Sequence, residues 1–306
     1  MKTLYANYRD AKNLTDENVF VGVGSDEAID LLFRIFLTPN SKEHVIVCPP
    51  TYGMYQVCAT INDCKLVKVP LTSNFELQVD VILGKMNKNT KLIFVCSPGN
   101  PTSKLISLDD IERLANSKYT GILVIDEAYI DFSPTSKSAI TLLTKYKNII
   151  VLQTLSKAFG LAGIRCGFAI SSNTEIIQLM NNVKAPYNLS SLTSEKACYA
   201  LNTIETLTRN VDHIFVERNR LKKFLEEIQF VVHVYDSDSN ILLFQLKSHA
   251  NETYKYMADH GVVCRFRGKE LHCRECLRVT VGTREENDFF LEGLRAGFLA
   301  VGGMAS

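Results

Sequence analysis

Through roughly the first 200 residues, short β-branched runs take turns with amphipathic stretches, and this alternation restricts the fold more than any other feature. Strands are expected at Val19–Gly22, His44–Cys48, Leu66–Leu71, Lys91–Cys96, Gly121–Ile125, Ile149–Leu152 and Gly167–Ser171. Helices are expected at Asp26–Leu37, Tyr52–Ile61, Ser107–Ala115 and Asn173–Asn182. Strands separated by helices pair in parallel and bury both faces, so the fold class is α/β: a mostly parallel seven-stranded sheet with helices on both sides. After the stretch Lys184 to Tyr187 the pattern changes to a long helical region, Ser191–Glu227. Strands at Val231–Tyr235, Asn240–Gln245, Val262–Arg265 and Leu277–Val281 follow, with helices near Glu252–His260 and Glu285–Phe298. These elements suit a small α+β domain behind a linker helix. Residues 1–200 are therefore expected to form a large domain and residues 201–306 a small C-terminal one.

Charge bears on partners. Lys plus Arg number 34 against 33 Asp plus Glu, a net charge of +1, so no overall field favours nucleic acid or a membrane surface. Small-molecule chemistry is the better expectation. No apolar run is long enough to span a bilayer, and the start MKTLYANYRD lacks the apolar centre of a signal peptide, so a cytoplasmic chain is expected. The nine cysteines are scattered through apolar runs, as reduced core thiols would be. His272, Cys273 and Cys276 form the one cluster, with Cys264 upstream, but no second pair stands at zinc spacing and no metal is expected.

Within this apolar frame, the segment Asn148 to Thr174 carries two charges only, Lys157 and Arg165. A buried cation needs a partner, and the ends of the other expected strands supply several. Gly22 to Leu32 is a strand, a glycine turn and then Ser25, Asp26 and Glu27 opening a helix, whose first-turn N–H groups suit a phosphate. Read alone, Ser25 or Asp26 could equally be an ordinary N-cap. Cys96 to Ser103 places Asn100 in a turn after a strand, and Gly121 to Ser133 drives an apolar strand into Asp126, with Tyr129 three residues on. Tyr52 joins them, although it could be a core residue. All of these lie at the carboxyl ends of the expected strands, where α/β folds bind ligands. A lysine for a Schiff base, a carboxylate for a pyridinium nitrogen, an aromatic ring and a phosphate cradle together specify pyridoxal phosphate.

The stretches TLSKAFGLAGIRCGF, VIDEAYIDF, GSDEAIDLLFR, CPPTYGMY and APYNLS resemble the histidinol-phosphate aminotransferases, a class II branch of the fold-type I pyridoxal-phosphate enzymes. The resemblance runs over essentially the whole chain. It implies that Lys157 is the Schiff-base lysine and proton carrier, and that Asp126 pairs with the pyridinium N–H. It further implies that Tyr129 and Asn100 bond the ring's phenolic oxygen and that Tyr52 stacks on the ring. The cofactor phosphate falls to the backbone of Asp26 and Glu27 beside Ser25, to the hydroxyls of Thr154 and Ser156, and to Arg165. Arg278, with Arg265 as its partner and Asn100 beside it, is implied for the phosphate of histidinol phosphate and for 2-oxoglutarate. Arg267 and Lys269 are expected to be solvated loop charges. A homodimer is implied as well.

The chain departs from that family twice. The arm that usually precedes the region matching Tyr5 to Arg9, with a tyrosine reaching the neighbouring subunit's cofactor, is not in this sequence. The family's glycine after Asn-Pro-Thr is replaced by Ser103. Three readings stay open at this stage: a working histidinol-phosphate aminotransferase, an aminotransferase of the same fold for aromatic or other amino acids, and a truncated homologue that binds cofactor with little turnover.

Overall fold

The computed structural model describes residues 1–9, 14–133 and 138–302. Its larger sheet holds β1 (Val19–Val23), β2 (His44–Val47), β3 (Lys65–Lys68), β4 (Thr90–Cys96), β5 (Ile122–Asp126), β6 (Ile149–Thr154) and β7 (Cys166–Ile170), in the order β1-β7-β6-β5-β4-β2-β3. The central pairs β2–β4, β4–β5 and β5–β6 are parallel, whereas β7 runs antiparallel to both of its neighbours. The reversal has a use: β6 ends at the carboxyl edge, and β7 begins there, so the turn between them delivers Lys157 and Arg165 to one place.

Alternation along the central strands sends side chains to two separate cores. In β5, Leu123 and Ile125 enter one apolar cluster while Ile122 and Val124 enter the other, and β4 and β6 divide in the same way. A period of two with both faces apolar is what a sheet covered by helices on each side requires. The helices around it are α1 (Lys2–Tyr8), α2 (Gly24–Phe36), α3 (Met54–Ile61), α4 (Val79–Lys85), α5 (Leu108–Ala115), α6 (Thr174–Val183) and α7 (Ser191–Leu201). Two of these, α1 and α4, are short and had no counterpart in the sequence reading. α1 docks through Tyr5, whose ring stacks on Phe168 at 3.6 Å and whose hydroxyl donates to Gln153 at 2.6 Å.

The expected single helical region from Ser191 to Glu227 is broken at Asn202–Thr203, giving α7 and a separate α8 (Ile204–Glu226). Beyond it, β8 (Val231–Val234), β9 (Ile241–Leu246), β10 (Arg265–Phe266) and β11 (Cys276–Thr280) form an antiparallel sheet ordered β10-β11-β9-β8, packed by α9 (Ala250–Asp259) and α10 (Arg284–Ala300). The strand expected at Val262–Arg265 starts later, because Val262 packs into the apolar cluster of this sheet rather than pairing in it.

Candidate active site

Glycines decide how closely the first helix can approach the sheet. A Cβ at Gly167 would stand 2.2 Å from the backbone nitrogen of Ser25, and one at Gly24, whose φ is +74°, would stand 2.6 Å from Arg165 Nη2. Only glycine lets β7 and the start of α2 meet there. The N-cap of α2 is Val23, and no side chain caps the first turn, so Ser25 and Asp26 are not N-caps. The positive end of a thirteen-residue helix is thus left open beside Ser25, Thr154, Ser156 and Arg165. Arg165 is the exception to the expectation of buried cations: it is about half exposed, in a left-handed backbone conformation (φ 52°), with Asp26 at 3.4 Å and Ser156 Oγ at 3.4 Å. Thr154 Oγ1 donates to Cys166 O at 3.0 Å and accepts from the Ser156 N–H at 3.1 Å, which fixes the turn after β6.

Ser25, Asp26, Tyr52, Asn100, Asp126, Tyr129, Thr154, Ser156, Lys157 and Arg165 line one cleft of about 460 Å³ of empty space, together with Cys96 and Ala128. Glu27 is not brought into it. Its carboxylate turns back to accept from the Val23 N–H at 2.6 Å and from Asn188 Nδ2 at 2.9 Å, closing the strand-to-helix turn.

Two adjacent carboxylates end β5 and meet different fates. Glu127 is filled by protein donors: Ser138, the Ala139 N–H at 2.7 Å and Gln153 Nε2 at 2.8 Å. Asp126, 2% exposed, receives among the described residues only the Tyr55 hydroxyl at 2.7 Å and the Ala128 N–H at 3.2 Å. Burial holds its pKa above the ordinary carboxylate range, and the charge of Lys157 is too weak to reverse that. Tyr55 was not foreseen as a site residue. It sits in the first turn of α3 with its ring stacked on Phe94 at 4.6 Å.

Lys157 opens into the cleft 5.3 Å from the centre of the Tyr129 ring, and among the described residues no hydrogen bond or ion pair holds its Nζ. Desolvation, then the nearby charge of Arg278, pull its pKa below that of a free lysine. Tyr129 is 7% exposed, its pKa is pushed up to about 12 by burial, and its hydroxyl has no protein partner among the described residues. Tyr52 donates to Asp26 Oδ1 at 3.1 Å and lies edge-on to Tyr55.

The small sheet reaches the cleft through Asn100. Arg278 donates from Nη1 to the side-chain oxygen of Asn100, so one amide bridges the two sheets. Arg265 pairs with Arg278 across the β10–β11 ladder, but it is exposed and donates to the Cys264 carbonyl at 3.0 Å. Arg267 departs from expectation: it is partly buried, ion-paired with Glu270 at 2.9 Å, and it flanks a second hollow shared with Tyr52 and Asn100. Lys269 is exposed. Cys264, Cys273 and Cys276 are buried free thiols, and no group of three or more potential metal ligands occurs among the described residues.

The donor set fits pyridoxal phosphate. An open helix start with three hydroxyls and a guanidinium suits a dianion, a buried carboxylate short of donors suits a ring N–H, and an unpartnered amine stands between them. Comparison with known proteins agrees. The family model for aminotransferases of class I and II matches residues 1–294. Curated histidinol-phosphate aminotransferases from Cytophaga hutchinsonii and Schizosaccharomyces pombe are 43% and 45% identical over 93% of this chain, covering 80% and 78% of their own lengths. The chain belongs to the histidinol-phosphate aminotransferase family. Among solved structures, the histidinol-phosphate aminotransferase of Clostridium acetobutylicum shares its fold, with a TM-score of 0.87 at 23% identity over 96% of this chain and 86% of that one. So does that of Sinorhizobium meliloti, solved with pyridoxal-5'-phosphate, with a TM-score of 0.85 at 21% identity over 98% and 81%.

Proposed function

We propose that this aminotransferase interconverts histidinol phosphate and imidazole acetol phosphate, with 2-oxoglutarate and glutamate as the other pair, in histidine biosynthesis. The observation that carries the reading is one cleft that holds Lys157, free of hydrogen bonds and ion pairs among the described residues, and the buried Asp126, with Arg278 reaching the cleft's Asn100 from the small sheet. When bound, pyridoxal phosphate supplies the electron sink that makes a proton on the amine-bearing carbon removable. Asp126 would hold the ring nitrogen's proton through a charge-assisted bond worth on the order of 1.5 to 3 kcal/mol. Lys157 Nζ, whose pKa is lowered by desolvation and then by the charge of Arg278, would form the covalent link to the cofactor. Released by the incoming amine, it would carry the proton between the substrate carbon and C4′. Tyr129 and Asn100 would steady the phenolic oxygen, and Tyr52 would cover a ring face.

The division near residue 200 is supported by packing: Ala197 and Leu201 of α7 belong to the large core, and Leu221 and Leu225 of α8 to the small one. A homodimer is supported by Leu179, Val183, Tyr187, Leu192 and Tyr199, exposed apolar side chains on and between α6 and α7. A cytoplasmic setting is supported by nine free cysteines. No helix among the described residues is long and apolar enough to cross a membrane.

Single-turnover spectra of the loaded enzyme test the substrate. Histidinol phosphate should convert the cofactor to its amine form faster than phenylalanine or tyrosine at equal concentration. The reverse order would overturn the assignment.

A further inference from the structure

A second hollow, with about 1340 Å³ of empty space, is walled on one side by Phe75 and Lys104 from loops of the large sheet. Arg218 and Lys222 of α8 and Tyr235 just after β8 wall the other side. Among the described residues it shares none with the cleft around Lys157. Its cations are committed unequally. Lys104 donates to the Asn74 carbonyl at 2.9 Å and pairs with Glu76 at 3.3 Å, and Lys222 pairs with Asp236. Among the described residues Arg218 has no such partner. It is 7% exposed, and its Nη1 donates to the Ser239 carbonyl at 2.6 Å. Phe215 covers the guanidinium at 5.1 Å, and Asp238 acts on it only through space, one oxygen of that carboxylate being taken by the Leu105 N–H at 2.9 Å. A buried guanidinium held by one neutral carbonyl keeps donors for an anion.

The surroundings narrow the choice of anion. Glu76, Asp236 and Asp238 line the hollow beside the three cations, so with His233 neutral its walls carry no net charge. A dianion would meet three carboxylates that one unpaired guanidinium cannot offset, whereas a single carboxylate matches that guanidinium through forked hydrogen bonds. Next to the charge the wall is flat. The half-buried ring of Tyr235 packs at 4.9 Å on Phe75 and edge-on to His233 at 4.5 Å, a surface that suits another ring. We propose that this hollow is a second ligand site, for a small aromatic monocarboxylate whose carboxylate forks onto Arg218 and whose ring rests on Tyr235. Thr102, Lys104 and Leu105 on one wall belong to the loop that carries Asn100, and Arg218 on the other belongs to α8. An occupant therefore ties that loop to α8 and adds to stability without entering the cleft. The site lies beyond the proposed reaction and depends on none of its substrates.

Benzoate is the probe, titrated calorimetrically into the cofactor-loaded enzyme. The parent should bind it at millimolar concentration and melt higher in its presence. Arg218→Gln keeps an amide donor for the Ser239 carbonyl and removes the charge. It should raise the Kd for benzoate roughly tenfold to a hundredfold and abolish the rise in Tm, with the cofactor's absorbance as in the parent. Tyr235→Ala should weaken benzoate about twofold to tenfold through the lost ring contact and leave the Kd for acetate unchanged. Arg278→Ala, at the other site, should leave the Kd for benzoate as it is. The proposal is overturned if the parent binds no benzoate at millimolar concentration or if Arg218→Gln binds it as the parent does. Loss of binding in Arg278→Ala rather than in Arg218→Gln would overturn it too, by placing the anion in the cleft. Inorganic phosphate that binds more tightly than benzoate, and does so through Arg218, would overturn the choice of a monocarboxylate.

Discussion

At the end of the cleft proposed to hold the cofactor's phosphate, Ser25, Thr154, Ser156 and Arg165 arrive from separate segments that meet at the carboxyl edge of the seven-stranded sheet. At the proposed substrate end, Arg265 and Arg278 come from a single two-stranded hairpin, with Arg267 beside them. The first end is held by the architecture: glycines at 24 and 167 allow backbones to touch, and the helix start contributes fixed dipoles. The second is held by side chains, through one amide and one ion pair. An end built from backbone changes only with the fold, whereas an end built from side chains can be retuned residue by residue.

The sharpest way to break this comparison lies between the two ends. Lys157→Ala should remove the peptide that borohydride labels with cofactor and lower turnover by at least about 10²- to 10⁴-fold, with the fold intact by circular dichroism. Labelling at another lysine would mean that the architecture delivers a different amine.

Asp126→Asn comes next, with an expected loss of about 10²- to 10³-fold in kcat, because an amide cannot hold the ring proton electrostatically. It also makes a stability prediction of opposite sign. The folded-state pKa of Asp126 is raised, so the folded cofactor-free chain binds its proton more tightly than the unfolded chain does. Its contribution to stability is therefore best below the ordinary aspartate pKa of about 3.9 and declines as pH rises towards the raised value. The cost therefore grows with pH, and at neutral pH the asparagine variant should melt higher than the cofactor-free parent, with the advantage shrinking as the pH is lowered to 4. Cofactor should then raise the Tm of the parent more than that of the variant. Equal shifts would show that the ring nitrogen does not face Asp126.

Tyr55→Phe should have a moderate effect. It deprives a buried carboxylate of one of its two donors, at a cost of about 1 to 3 kcal/mol. It should also displace the pH at which the bound cofactor's spectrum titrates, a readout that a loss of packing alone would not move.

The smallest effect is expected where the chain departs from its relatives. Ser103 replaces the family's glycine yet keeps a left-handed backbone with φ 58°, and its hydroxyl donates to Ile241 O at 3.0 Å and meets Ser239 Oγ at 3.0 Å. Ser103→Gly relieves the backbone by about 1 to 2 kcal/mol and forfeits hydrogen bonds worth about 0.5 to 1.5 kcal/mol each. The net change in denaturant midpoint should lie close to zero. A loss of several kcal/mol would mean that the small sheet depends on this contact more than the comparison allows.

Legibility followed the same division. The apolar strands of the large sheet announced themselves because two buried faces leave no room for charge, and each chemical residue stood out at a strand end, as Asp126 does after Val124 and Ile125. The antiparallel course of β7 was not readable, since direction leaves no mark on a five-residue run. Tyr55 was hidden because a phenol that serves a buried carboxylate and a phenol that fills a core look alike in sequence. Arg267 was misjudged for a related reason: charge-rich hairpins are usually solvated, and only the ladder register shows which of their side chains turn inward. The side chain of Glu27 has a local task that the sequence does not show, bracing the strand-to-helix turn through the Val23 N–H, while the expectation placed on Glu27 concerned its backbone.

The loop after β4 carries Asn100, which takes a hydrogen bond from Arg278, and Ser103 and Leu105 of the same stretch are bonded to β9 or to the turn that precedes it. Ser103 O accepts from the Asp238 N–H at 2.8 Å, and the Leu105 N–H donates to Asp238 Oδ2 at 2.9 Å. For anyone wishing to redirect the enzyme to another amine, this seam marks the boundary between safe and costly changes. Exchanges at the hairpin's tip, around Gly268 to Arg274, alter what is admitted and leave the seam whole. On the role proposed for Asn100, an exchange there would alter the admitted molecule and the seating of the cofactor together, so a new specificity introduced there would have to be selected for both at once.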